Sequence, residues 1–193
     1  MILSLIGYRA TGKTTLARLV AGRLEWDWID ADAEIERRAG KSISRIFAED
    51  GEPAFRDIEA GVIAELCRRD RLVLAAGGGA PLRPENRRAM RAAGKVVWLV
   101  ARPKTILARM AADAASLGRR PPLTDRPALE EIIQLLDSRE PIYREAADLI
   151  VDTEGKPPAA VAEEIVGGLE RHLVPTLRVG THWPDAPRRK EAT

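Results

Sequence analysis

Ile2-Leu3-Ser4-Leu5-Ile6-Gly7-Tyr8-Arg9-Ala10-Thr11-Gly12-Lys13-Thr14 joins a five-residue apolar run to the pattern G-x-x-x-x-G-K-[ST]. An apolar pentapeptide followed at once by glycine reads as a buried strand entering a tight loop. Lys13–Leu24 then carries Leu16, Leu19, Val20 and Leu24 at helical spacing. Strand, loop and helix in that order are what a phosphate-binding loop needs. Its glycines let successive backbone N–H groups turn toward a phosphate at the positive end of the helix. Lys13 would reach the β- and γ-phosphates, and the Thr14 hydroxyl would ligate Mg²⁺. The expected nucleotide cradle is Gly7, Ala10, Thr11, Gly12, Lys13 and Thr14, with Thr15 next along the helix. The ligand expected from this loop is a purine triphosphate.

Beyond the loop, short apolar runs alternate with longer helical patterns. Strands are expected at Trp28–Ile29, Leu72–Ala75, Val96–Val100 and Leu149–Val151. Helices are expected at Ala33–Ala39, Ser44–Ala48, Glu52–Arg69, Pro84–Ala93, Pro103–Ala115, Ala128–Arg144 and Ala159–Leu173. Strands separated by helices imply βαβ units, hence an α/β fold with a parallel sheet covered on both faces. Trp26, Trp28 and Trp98 are expected in or beside the core. From Pro175 the composition turns to Pro, Arg and Gly without a period, as in a disordered or loosely docked tail.

Charge and length narrow the classes. The chain has 193 residues, which points to one domain with a sizeable core. Its net charge is +2 and its pI about 8.9, values that invite a polyanion. The surplus sits in residues 175–193, which carry Arg178, Arg188, Arg189 and Lys190 against Asp185 and Glu191. The first 174 residues balance at 27 basic and 27 acidic groups, so no bulk field favours nucleic acid. The longest stretch without charge, Leu72–Leu82, is eleven residues and too short for a membrane helix. No basic n-region precedes Ile2, so no signal peptide is expected. A single cysteine, Cys67, cannot form an internal disulfide; it fits a reducing cytoplasm and a structural thiol. His172 and His182 stand away from any acidic cluster, which argues against zinc.

A series of further motifs follows in fixed order. Asp30-Ala31-Asp32 follows the second expected strand, and Ile35-Glu36, Gly40-Lys41-Ser42-Ile43, Ile46-Phe47 and Gly51-Glu52 come after it. Phe55-Arg56-Asp57-Ile58-Glu59, Gly77-Gly78-Gly79, Arg120-Pro121 and Arg139-Glu140-Pro141-Ile142-Tyr143 complete the series. In order and spacing this resembles the shikimate kinase family over about residues 1–172.

The resemblance implies a three-layer P-loop kinase fold: a central, mostly five-stranded parallel sheet flanked by helices, with a mobile lid at about residues 112–126. It implies ATP-dependent phosphorylation of shikimate at its 3-hydroxyl, with Mg²⁺, in the route to aromatic amino acids. Asp32 would bind the substrate hydroxyls and orient the attacking oxygen; Asp30 would help hold Mg²⁺ beside Thr14. Helix N-capping is the structural alternative for this pair, and Asp30 looks too early to cap a helix that begins at Ala33.

Arg56 and Arg139 would take the substrate carboxylate, a contact that favours bidentate arginine. Surface ion pairing is their ordinary alternative. Gly77, Gly78 and Gly79 would admit the substrate ring to the backbone. Phe47 and Phe55 resemble residues near the substrate, or are core. Arg109 resembles the arginine that packs on adenine, and Lys156-Pro157-Pro158 loosely resembles the adenine-side loop. Arg120 resembles the lid arginine over the phosphates, with Arg119 as its neighbouring rival, because this chain has Arg119-Arg120-Pro121-Pro122-Leu123 where Arg-Pro-Leu is usual. A monomer is implied, with residues 173–193 as a tail. The competing readings are another small-molecule kinase, of gluconate or nucleoside monophosphate type, and a nucleotide-binding regulator without catalysis.

Overall fold

The computed structural model describes residues 1–112 and 127–173. Five strands form one parallel sheet: β1 (Ile2–Ile6), β2 (Asp27–Asp30), β3 (Leu72–Ala75), β4 (Gly94–Val100) and β5 (Leu149–Asp152), in the order β2-β3-β1-β4-β5. The helices are α1 (Lys13–Leu24), α2 (Ala31–Ala39), α3 (Ile43–Leu66), α4 (Pro84–Ala93), α5 (Pro103–Ala112), α6 (Ala128–Ala146) and α7 (Pro158–Leu173). The lid region and the tail beyond residue 173 lie outside the described residues.

Alternation along β1 sets the layers. Leu3 and Leu5 face one way and pack with Leu16 and Val20 of α1 and Val161 and Ile165 of α7. Ile2 and Ile6 face the other way. There Ile2 joins Leu72, Leu74, Ile35, Ile46 and Phe55, while Ile6 joins Val96, Trp98, Ile63, Met90 and Tyr143. A period of two on a fully covered strand therefore yields two apolar faces and three layers.

Local signals fix the helix ends. Ser42 caps α3, its Oγ accepting from the Arg45 N–H, and Gly40 closes α2 at φ 66°, the left-handed turn that glycine supplies. The two expected helices Ser44–Ala48 and Glu52–Arg69 are one stretch bent at Gly51, where φ 81° and ψ 171° leave the helix just before Pro53. α5 is described to Ala112, and the remainder of the helix expected to Ala115 lies outside the described residues.

Two expectations are corrected here. α2 begins at Ala31, so Asp30 is its N-cap after all: its side chain accepts from the N–H groups of Asp32 and Ala33. Trp28 is 41% exposed, not core, because β2 is an edge strand paired with β3 alone. Trp98 is buried and Trp26 half-buried against the core, as expected. Burial pushes the Cys67 thiol up to about 11, which fits a structural role. No helix among the described residues is long and apolar enough to cross a membrane.

Candidate active site

All five strands run parallel, so their carboxyl ends open at one edge of the sheet, the usual place for a ligand in such folds. β1 delivers the phosphate-binding loop to that edge. Gly7 has φ 136°, and a Cβ there would stand 2.5 Å from the Leu99 carbonyl oxygen, so only glycine fits against β4. Gly12, at φ 94°, is the N-cap of α1 and leaves the first N–H groups of that helix to the loop. The Thr11 hydroxyl donates to the Tyr8 carbonyl at 2.8 Å and pins the loop from inside. Lys13 Nζ donates to the carbonyls of Gly7 and Tyr8 at 2.9 and 2.8 Å. Its ammonium thus sits across the loop mouth. Thr15 is exposed on the first turn of α1.

β2 delivers Asp30. Its Oδ1 caps α2, accepting from the Asp32 N–H at 2.9 Å, and its Oδ2 accepts from the Thr14 hydroxyl at 2.5 Å. One carboxylate therefore ties α2 to α1. A hydroxyl and a carboxylate oxygen held this close are hard donors of the kind Mg²⁺ takes through one or two protein groups, with water and phosphate completing its shell. Among the described residues no cluster of three His, Cys, Asp or Glu could hold a metal by itself. The chemistry of the pair fits Mg²⁺ held jointly with a nucleotide.

β3 delivers the three glycines, and each makes a different close approach. A Cβ on Gly77 would stand 2.8 Å from Asp32 Oδ1 and 2.9 Å from Glu59 Oε1. Gly78 lies against the phosphate-binding loop itself, 3.4 Å from the Gly7 carbonyl oxygen and 3.5 Å from the Arg9 nitrogen on the same construction. A Cβ on Gly79 would overlap the Arg56 guanidinium. The glycines are thus the seam where Asp32, the nucleotide loop and Arg56 meet.

Arg56 projects from α3 past the Gly51 bend. It pairs with the buried Glu59 at 2.7 Å and with Glu52 at 3.1 Å, and lies over the Phe55 ring with its carbon 5.1 Å from the centroid. Phe55 is core, and its ring meets Phe47 at 4.8 Å. Arg139 projects from α6 over the Tyr8 ring at 5.7 Å. The two arginines expected at a carboxylate come from two helices distant in sequence, Arg56 against Gly79 and Arg139 over the Tyr8 ring of the loop that Gly78 lies against. Arg109 lies at the other side of the loop: its guanidinium donates to Thr153 Oγ1 and to the Thr153 carbonyl, both at 3.0 Å, and reaches the Ala10 carbonyl at 3.5 Å. Lys156 pairs with Glu164 on α7. Arg119 and Arg120 fall outside the described residues.

Three contacts of the site carried no assignment in the sequence. Glu59, 1% exposed, stands three residues after Arg56 on one helix face, a spacing that could have revealed the pair. Arg9 meets the buried Glu131 at 3.1 Å across 122 residues, and Tyr143 donates to the Gly78 carbonyl across 65. No local signal could have found those two.

Known proteins of one family match the chain over most of its length. The family model described as shikimate kinase matches residues 9–170. The shikimate kinase of Rhodopirellula baltica is 43% identical over 164 residues, covering 85% of this chain and 88% of that one. The shikimate kinase of Pseudomonas savastanoi pv. phaseolicola is 44% identical over 167 residues, 86% of this chain and 95% of that one. Among solved structures, the shikimate kinase from Acinetobacter baumannii in complex with shikimate superposes with a TM-score of 0.83 at 34% identity, covering 89% of this chain and 93% of that one. With the motifs in order, the five-stranded parallel sheet as expected and relatives matched over most of their length, the chain belongs to the shikimate kinase family.

Proposed function

We propose that Lys13, Asp32, Arg56 and Arg139, meeting along the seam of Gly77–Gly79, carry the family's reaction in this chain. That reaction is ATP-dependent phosphorylation of the 3-hydroxyl of shikimate, giving shikimate 3-phosphate and ADP. The observation that carries the assignment of residues is the contact of Gly77 with Asp32, of Gly78 with the nucleotide loop and of Gly79 with Arg56.

The roles follow from the chemistry of each group. The loop of Gly7, Ala10, Thr11 and Gly12, with Thr14 and Thr15, offers N–H and hydroxyl groups to the phosphates. Lys13 moves its ammonium from its own loop carbonyls toward the oxygens between the β- and γ-phosphorus, where charge builds as that P–O bond breaks. Thr14 and Asp30 would hold Mg²⁺, whose charge would neutralise that of the phosphates. Asp32 orients the substrate hydroxyl and accepts its proton as the new O–P bond forms. Arg56 and Arg139 fix the substrate carboxylate, and Arg109 packs on the base. Arg120 is assigned to the phosphates by family resemblance alone. Residues 1–172 form the kinase domain and 173–193 a tail outside it. We assign the enzyme to the cytoplasm as a monomer, on its single cysteine and the family resemblance.

A coupled ADP-release assay over a substrate panel is the direct test. Turnover is expected with shikimate and at least about 100-fold less with gluconate or a nucleoside monophosphate, because the arginine pair selects a carboxylate beside a ring hydroxyl. Equal rates across the panel would overturn the assignment. Gly79→Ala adds a methyl where the Arg56 guanidinium lies. The KM for shikimate is expected to rise about tenfold, with the KM for ATP within about twofold, as for loss of one charged hydrogen bond. Steady-state kinetics in both substrates reads this out, and an unchanged shikimate KM would remove Arg56 from the carboxylate site.

A further inference from the structure

Tyr143 is fully buried at the seam and has no part in the roles given above. Its ring rests on Trp98 with centroids 5.7 Å apart, and its hydroxyl donates to the Gly78 carbonyl at 2.5 Å. The Gly77 and Gly79 carbonyls are taken locally, by the N–H groups of Ala80 and Leu82 at 3.0 Å each. The carbonyl of the middle glycine instead depends on a side chain from α6. Three successive glycines are the loosest backbone a protein can build, so this one bond from outside has an unusually large amount of motion to suppress.

Arg139 stands four residues before Tyr143 on α6, on the same helix face, and its guanidinium lies over the ring of Tyr8, in the loop that Gly78 lies against. Burial raises the pKa of the Tyr143 hydroxyl; the charge and hydrogen bond of Arg139, and more weakly the charge of Arg56, act against that rise. A phenol has one proton and two lone pairs. With the proton committed to Gly78, the oxygen is left to accept from Arg139, whose long side chain otherwise has many rotamers.

We infer that Tyr143 is a positioning residue for the acceptor substrate: by donating it fixes the Gly78 peptide, and by accepting it aims the Arg139 guanidinium. The inference rests on Arg139 as the carboxylate-binding residue. Tyr143→Phe keeps the ring and removes only the hydroxyl. The KM for shikimate is expected to rise about tenfold, the loss of one charged hydrogen bond, with the KM for ATP within about twofold. Trp98→Phe disturbs the same packing but leaves the hydroxyl, and should lower the melting temperature without moving the shikimate KM.

Arg139→Lys separates this inference from the reading beneath it. If Arg139→Lys raises the shikimate KM and Tyr143→Phe does not, the role of Tyr143 falls and that of Arg139 stands. If Arg139→Lys leaves the KM unchanged, both fall. In the double variant the increase should be less than the product of the two single increases, because the hydroxyl acts through the guanidinium; a full product would overturn the coupling.

Discussion

Asp32→Asn is expected to lower kcat by about 10²–10⁴-fold, the range supplied by a positioned acid or base in proton transfer. ATP binding and the melting temperature should stay close to those of the parent chain. The backbone of Asp32 is held by the Asp30 cap at 2.9 Å, which the substitution does not touch. Its side chain lies against Gly77, where any added bulk would collide, and asparagine adds none. What the variant loses is the charge that accepts a proton and orients the attacking oxygen. Because phosphoryl transfer is largely dissociative, the loss should appear in kcat more than in shikimate affinity. Single-turnover kinetics with saturating ATP, beside a nucleotide titration, measures both. A kcat within threefold of the parent's would remove Asp32 from the chemistry and leave it a packing partner of the glycine seam.

Asp30 behaves differently, and the comparison shows what the sequence could and could not reveal. The pair Asp30/Asp32 is visible in the sequence as a constellation, but the helix start expected at Ala33 is two residues later than the Ala31 of the structure. Asp32 and Glu34 in the first turn were a usable signal, since acidic residues favour a helix N-terminus and place its start at Ala31. The phosphate-binding loop was legible because its determinants are consecutive: five apolar residues, two glycines and a lysine specify strand, turn and helix without help from elsewhere. The glycines at the end of β3 were legible as a loop, while their reason was not. At Gly77 and Gly79 a side chain from α2 or α3 occupies the space a Cβ would take, and Gly78 lies in ordinary contact with the nucleotide loop. Those partners lie about 20 to 70 residues away, and only the order of strands in the sheet brings them together. Arg9 with Glu131, and Tyr143 with Gly78, belong to the same category. Trp28 misled because an aromatic beside a strand reads as core, whereas an edge strand has one neighbour and a less protected surface.

Lys13→Met is expected to lower kcat by about 10²–10³-fold, as for removal of one preorganised donor aimed at developing charge. It should also weaken ATP binding, which distinguishes it from Asp32→Asn. In this structure the Lys13 ammonium spans the Gly7 and Tyr8 carbonyls at 2.9 and 2.8 Å, so it holds its own loop in shape. Methionine preserves the length and much of the volume of the stem but offers neither bond. Two carbonyls at the loop mouth then lose a charged donor, and the melting temperature should fall by roughly 2–6 °C for a chain of this size. The stability loss and the rate loss have separate origins. Lys13→Arg tells them apart, because a guanidinium can still satisfy the loop carbonyls while its planar fork cannot reproduce a compact point charge between two phosphates. The arginine variant should therefore regain most of the melting temperature and little of the kcat. If it regained both, the lysine would be serving the loop rather than the phosphoryl group, and the electrostatic role assigned to Lys13 would fall.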